Sequence, residues 1–176
     1  SSVTGATIAK ILSILRKELT VVRAMPNTAV AIGESMTCLS AAEGHTEGLA
    51  RAQQIFSSVG LTMVIDEELM IPATALCACG VAFFLRCIRA ASQGGIEIGF
   101  HAEEAITLAA QTARGAASLL LQMETHPESE IDKVTTPMGC TIAGLNRMEH
   151  EGFSSAMIKG IVNSANKAAN ITSKRD

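Results

Sequence analysis

Apolar positions along this chain change rhythm near residue 66. Before it, short segments of two different periods alternate. Ile8, Ile11, Leu12 and Leu15 recur at helical spacing within Thr7–Glu18, and Thr20–Met25 then reads as a buried strand. Pro26, Asn27 and Thr28 break that strand before Met36–Ser40 resumes an extended run. Leu49, Ala52, Ile55 and Phe56 share one face of a second helix over Thr46–Ser58, Gly60 ends it, and Leu61–Ile65 is another strand. This alternation predicts the end of an α/β unit with parallel strands, too few to close a doubly wound sheet by themselves.

From Glu68 onward strand signals disappear. A helical stretch is predicted to about Gln93, interrupted at Gly94 and Gly95, and another from about Ala102 to Glu124. Further helices follow near Ser129–Lys133, Thr141–His150 and Phe153–Ile171. The fold class expected is therefore an α/β remnant over residues 1–66 followed by an all-α domain over 67–176. Ala105, Ile106, Leu108, Ala109, Ala113, Ala116, Ala117 and Leu120 make one helix apolar over much of its circumference. Such a helix needs cover on every side, which so short a bundle lacks, so a second copy of the chain is expected to supply it.

Composition narrows the partners. The 176 residues carry 14 basic and 17 acidic side chains, a formal net charge of −3, with no long run of either sign. That argues against a nucleic-acid groove or an anionic membrane surface and for a small molecule or a protein. With no Trp or Tyr and only five Phe, the interior must be filled by Ala, Leu, Ile, Val and Met. Cys38, Cys77, Cys79, Cys87 and Cys140 are odd in number and scattered, and read as reduced thiols of a cytoplasmic protein. The apolar run Leu69–Leu85 approaches the length of a membrane span. Pro72 and Gly80 interrupt it and Arg86 and Arg89 follow, so it reads as a buried helix of a soluble protein.

The segment Val134–Ile142 carries the clearest candidate chemistry. Pro137 fixes a turn, Gly139 permits close backbone approach, and a helix begins near Thr141. Free N–H groups at a helix start, with the hydroxyls of Thr136 and Thr141 beside them, suit a carboxylate or phosphate. Ordinary N-capping would need only one of those hydroxyls, so both readings stand. Met25-Pro26-Asn27-Thr28, after the C-terminal end of a strand, lies where ligands collect in open α/β sheets, and is equally a good turn. Cys77 and Cys79 are two apart on a helix and face away from each other, and no Cys-x-x-Cys or His-x-x-His pair occurs, so no metal is assigned. No nucleophile elbow, Gly-x-Gly-x-x-Gly or Walker sequence is present.

In this order, Val21–Thr28, Ala73–Leu76, Gly94-Gly95, Ala109–Thr112, His126-Pro127, Val134–Leu145 and Gly152-Phe153 resemble the pyrroline-5-carboxylate reductase family over nearly the whole chain. The resemblance implies an N-terminal Rossmann-like NAD(P)-binding domain, of which residues 1–66 would be the C-terminal part. It also implies an all-helical dimerisation and substrate-binding domain, similar to the 6-phosphogluconate dehydrogenase C-terminal helical bundle. The implied reaction is reduction of 1-pyrroline-5-carboxylate to L-proline with NADPH or NADH. By position, Thr136 and Thr141 match residues that hold the substrate carboxylate, with the backbone of Gly139 and Cys140 between them. Thr141 also matches a possible proton donor to the imine nitrogen. Met25, Asn27 and Thr28 match the loop beside the nicotinamide, and Glu124 an acidic residue near a dimer-made substrate pocket.

Two departures bear on substrate fit. The family usually has Ser-Gly-Ser-Gly-Pro-Ala-Tyr where this chain has Cys77-Ala78-Cys79-Gly80-Val81-Ala82-Phe83, and Gly-Gly where it has Met138-Gly139. The chain begins within an α/β unit, so the expectation is a truncated enzyme, inactive alone because the cofactor's pyrophosphate cradle would lie upstream. The alternatives are a non-catalytic oligomerisation or carboxylate-binding module and a related NAD(P)-dependent reductase with another substrate.

Overall fold

The computed structural model describes residues 1–15 and 19–173. The last residues of the first expected helix, Arg16–Glu18, lie outside the described residues. The chain divides into two compact units, one of Ser1–Val81 with Ile158–Asp176, the other of Ala82–Met157.

In the first unit, helix α1 (Ile8–Leu15) precedes strands β1 (Val22–Met25) and β2 (Ser35–Ala41), helix α2 (Thr46–Ser57) and strand β3 (Gly60–Val64). The sheet order is β1-β2-β3. β2 and β3 are parallel, with helix α2 as their crossover. β1 corrects the expectation of a parallel strand, because it runs antiparallel to β2, Met25 opposite Cys38 and Val22 opposite Ala41. The reason is connection length: a parallel crossover takes about a dozen residues or more, and the Pro26–Glu34 link is a single 3-10 turn (Thr28–Ile32) that doubles the chain back.

The core of this unit joins sheet to helix. Met25, Cys38, Met70 and Ala73 are buried together, and Met36, Ile65, Cys77 and Ala78 pack against them. Met70 and Ala73 belong to the short helix α3 (Met70–Ala73), which runs into a π turn over Thr74–Ala78 and then α4 (Gly80–Glu97). The π turn closes with the Cys79 N–H donating to the Thr74 carbonyl at 2.9 Å, while the Thr74 hydroxyl donates to Met70 O at 2.8 Å. An ion pair fixes the start of this helical run to the sheet. The buried Arg23 guanidinium lies 3.1 Å from the Glu67 carboxylate, which also accepts the Ile8 N–H at 2.7 Å at the start of α1. The combined run Glu67–Glu97 is, by length and composition alone, long and apolar enough to cross a membrane.

Gly94 and Gly95 do not interrupt α4, contrary to the expectation; the helix passes through both. A Cβ on Gly95 would lie 3.1 Å from the Ala105 Cβ, so this glycine serves the close approach of α4 and α5 (Ala102–Met123) in the second unit rather than a break. At the start of α5 the Glu104 carboxylate accepts the His101 N–H at 3.0 Å, half of a capping box. Helix α6 (Pro127–Lys133) starts with a proline, where the lost N–H costs nothing, and with the His126 ring accepting the Glu128 N–H. Helices α7 (Cys140–His150) and α8 (Phe153–Ser173) follow, α8 continuing into the first unit. A three-stranded α/β piece followed by helices is the architecture expected from the pattern.

Candidate substrate turn

The second unit carries the Val134–Ile142 segment. The Thr135 hydroxyl donates to Ile131 O at 2.7 Å and closes the end of α6. The next four residues form a β-turn in which the Gly139 N–H donates to the Thr136 carbonyl at 2.9 Å. Pro137 holds the second position and Met138 the third, with φ +57°, the pattern of a type II turn. Gly139 is then extended (φ −74°, ψ 160°) and serves as the residue before α7.

Sterics explain this glycine. A Cβ there would overlap the Thr136 hydroxyl and lie 2.9 Å from the Thr136 carbonyl oxygen. The Thr136 side chain therefore sits directly over the Gly139 backbone, as only a glycine allows.

Among the described residues no side chain caps α7. Its first N–H groups, from Cys140 onward, are left to an outside acceptor. Ordinary N-capping, the simpler reading of this Thr-rich start, is thus not what the Thr136 and Thr141 hydroxyls do in this chain. Thr136 and Cys140 are exposed, and Gly139 and Thr141 are half-buried. The sequence-predicted residues Thr136, Gly139, Cys140 and Thr141 thus lie together, on one turn and the helix start it feeds. Such a group can hold an anion by several N–H donors and two hydroxyls.

Glu124 is exposed in the same unit, directly after α5. It adopts a left-handed conformation (φ 51°) and its N–H closes the helix on Leu120 O at 3.1 Å. Nearby on the chain, a hydrogen bond from Lys133 at 2.7 Å holds the Glu130 carboxyl below the usual carboxylate range.

Met25, Asn27 and Thr28 belong to the first unit and have three different roles. The Met25 side chain is buried in the core. Asn27 caps the 3-10 turn, its side-chain oxygen accepting the Ala29 N–H at 3.1 Å, and its amide reaches the Cys77 carbonyl of the π turn at 3.5 Å. Its own N–H donates to the buried Ser35 hydroxyl at 3.2 Å. Thr28 is exposed. Two of the three shape the loop, and the third leaves a hydroxyl at its surface.

Sequence reasoning missed the π turn and the contact between Cys38 and Cys77, whose Sγ atoms are 4.0 Å apart. Burial, then the neighbouring Cys77, pushes the Cys38 thiol up to about 11. No periodicity announces a π turn. The only available signal was the departure at Cys77-Ala78-Cys79. Among the described residues no group of His, Cys, Asp or Glu could hold a metal ion.

Comparison with known proteins gives this geometry a family. Pyrroline-5-carboxylate reductase 1 of Dictyostelium discoideum is 58% identical, the match covering 99% of this chain and 34% of that protein. Pyrroline-5-carboxylate reductase 2 of the same organism is 52% identical over 96% of this chain and 62% of its own length. The chain thus spans between about a third and under two thirds of these curated relatives. Among solved structures, the 1-pyrroline-5-carboxylate reductase of Streptococcus pyogenes superposes with a TM-score of 0.90 at 28% identity, covering 97% of this chain and 66% of that one. The Plasmodium falciparum pyrroline carboxylate reductase with NADP bound shares the fold, with a TM-score of 0.88 at 24% identity over 96% of this chain and 68% of its own. A family model for pyrroline-5-carboxylate reductase dimerisation matches residues 67–171. With that domain in place and relatives of one name on every side, the chain belongs to the pyrroline-5-carboxylate reductase family.

Proposed function

We propose that this chain supplies the substrate turn and the dimerisation helices of an enzyme that reduces 1-pyrroline-5-carboxylate to L-proline with NADPH or NADH. Residues 1–66 are then the end of its nucleotide-binding domain and 67–176 its helical domain. The observation that carries this reading is the uncapped start of α7 framed by Thr136 and Thr141. The substrate carboxylate takes the N–H groups at Cys140 and Thr141 and the Thr136 hydroxyl, which orients the ring.

The nicotinamide, when bound, supplies hydride to the C=N carbon. As that carbon gains hydride its nitrogen becomes basic, and the Thr141 hydroxyl delivers a proton to it and is reprotonated by water. The protein's share is positioning, anion recognition and one proton, and needs no nucleophile. The loop residues fit the nicotinamide in a restricted way. Thr28 and the loop backbone would face the nicotinamide, while Met25, in the core, and Asn27, capping the 3-10 turn, would hold the loop in shape. With no Gly-x-Gly-x-x-Gly in these 176 residues, the chain alone does not turn over.

Glu124 serves the pocket from the end of α5, and a second copy covers the apolar helices as a homodimer or larger homo-oligomer. The five free cysteines fit a reducing cytoplasm.

The test is oxidation of NADPH and NADH with 1-pyrroline-5-carboxylate by the full-length protein that contains this chain. Thr141→Ala should lower kcat, and Thr136→Ala should mainly raise KM, if its bond is equal in ground and transition states. Turnover with wild-type kinetics in both variants would remove these residues from the site. L-proline binding without turnover by the full-length protein would instead make the chain a carboxylate-binding module, and turnover of a different imine a related reductase.

A further inference from the structure

Outside the substrate turn, one pair of reactive groups is brought together by the fold alone. Cys38 lies mid-strand on β2 and Cys77 in the π turn, thirty-nine positions apart in sequence, with their sulfurs 4.0 Å apart. Both belong to the core that packs the helical run against the sheet, and the two elements carrying them meet side by side there. Cys77 is half-buried and Cys38 fully buried. A small oxidant can therefore reach the first but not the second.

We propose that Cys38 and Cys77 form a reversible disulfide in the presence of a hydroperoxide, tying strand β2 to the π turn. The Cys77 sulfur attacks the peroxide, is oxidised to sulfenic acid, and the peroxide O–O bond breaks to release an alcohol or water. Cys38 then attacks the sulfenic sulfur, the S–O bond breaks, water leaves with the proton of the Cys38 thiol, and the S–S bond forms. In sum two thiols and one hydroperoxide give one disulfide, one alcohol and one water. The sulfurs, 4.0 Å apart, must approach to about 2 Å for the bond to form. Burial holds the Cys38 proton tightly, so the second step is the slower of the two. The bond would fix the Cys77 backbone, whose carbonyl receives the Asn27 side chain, and so stiffen the loop after β1.

The experiment is peptide mapping of the intact protein after exposure to tert-butyl hydroperoxide, alkylation in denaturant and trypsin digestion. Cleavage at Arg51 places Cys38 and Cys77 on separate peptides, and exposed Cys140 reports that oxidant was present. The expected result is joint loss of alkylation at Cys38 and Cys77, a cross-linked peptide pair that dithiothreitol separates, and its absence in Cys77→Ser. The proposal is overturned if Cys140 is oxidised while Cys38 and Cys77 both remain alkylated, if Cys77 proceeds to sulfinic acid without a cross-link, or if Cys38 pairs with Cys79 instead. Because serine differs from cysteine only in replacing sulfur by oxygen, Cys77→Ser also separates loss of the cross-link from loss of fold.

Discussion

Met138 offers the most direct test of the turn that feeds α7. It sits at the third position with φ +57°, a conformation that costs a residue with a Cβ about 1–2 kcal/mol and glycine almost nothing. Met138→Gly should release that strain, while the greater freedom of glycine in the unfolded chain takes back about 0.4–1 kcal/mol. The net gain is about 0.5–1 kcal/mol, measured against Met138→Ala rather than against the wild type. Alanine is the right reference because it keeps the Cβ and the strain but removes the long side chain, which is fully exposed in the single chain (101%). Any packing of that side chain on a second copy is lost equally in both variants and cancels. For a chain of this size the difference is about 2 °C in Tm, to be read by thermal denaturation at one protomer concentration, since stability of an oligomer depends on it. A glycine variant no more stable than the alanine variant would show that the left-handed residue is not strained, and the turn would need another description.

Three further outcomes follow from the same geometry. Gly139→Ala should displace the Thr136 side chain or open the turn, lowering kcat/KM of the proposed reductase by about 100-fold if the shift approaches 1 Å; unchanged kinetics would mean that Thr136 does not bind substrate. Glu67→Ala leaves the buried Arg23 unpaired and the α1 start without its acceptor, and should cost about 2–3 kcal/mol in denaturant titrations, Glu67→Gln less; a cost near zero would refute the pairing. Cys38 ionises at about 11 in the fold against an ordinary 9.0, so its contribution to stability is complete below pH 9 and is lost as pH rises toward 11. Stability measured between pH 9 and 11 should fall less steeply in Cys38→Ala than in wild type, and parallel slopes would contradict that ionisation.

Much of this structure could be read from residue pattern, and the failures have physical causes. Helices α5 and α8 were legible because their apolar spacing is long and their starts are marked. β1 was recognised as a strand, but its direction depends on what the Pro26–Glu34 link can span, which hydrophobic rhythm does not encode. Gly94 and Gly95 looked like breakers because local propensity disfavours them, yet contact between Gly95 and Ala105 needs a missing side chain more than the helix needs propensity. In the candidate site, the proximity of Thr136 to Gly139–Thr141 is local and was visible. That Met25 and Asn27 are spent on core and cap was not, since both roles are set by residues far away in sequence.

The burial of α5 connects the family's dimerisation domain to the substrate turn. Of its twenty-two residues only Ala105 is buried in the single chain, while Leu108, Leu119, Leu121 and Met123 lie exposed. With only Ala105 buried, α5 draws little packing from the rest of its chain, and in proteins most helical stability comes from packing of an apolar face. Covering those side chains by a second copy would therefore stabilise α5 itself, not merely associate two finished protomers. Glu124 stands at the end of that helix, and α6 and the Thr136–Gly139 turn follow it directly along the chain. Loss of the second copy would loosen the helix that leads by way of α6 into the turn, so the substrate recognition proposed for that turn and association would share one source of stability.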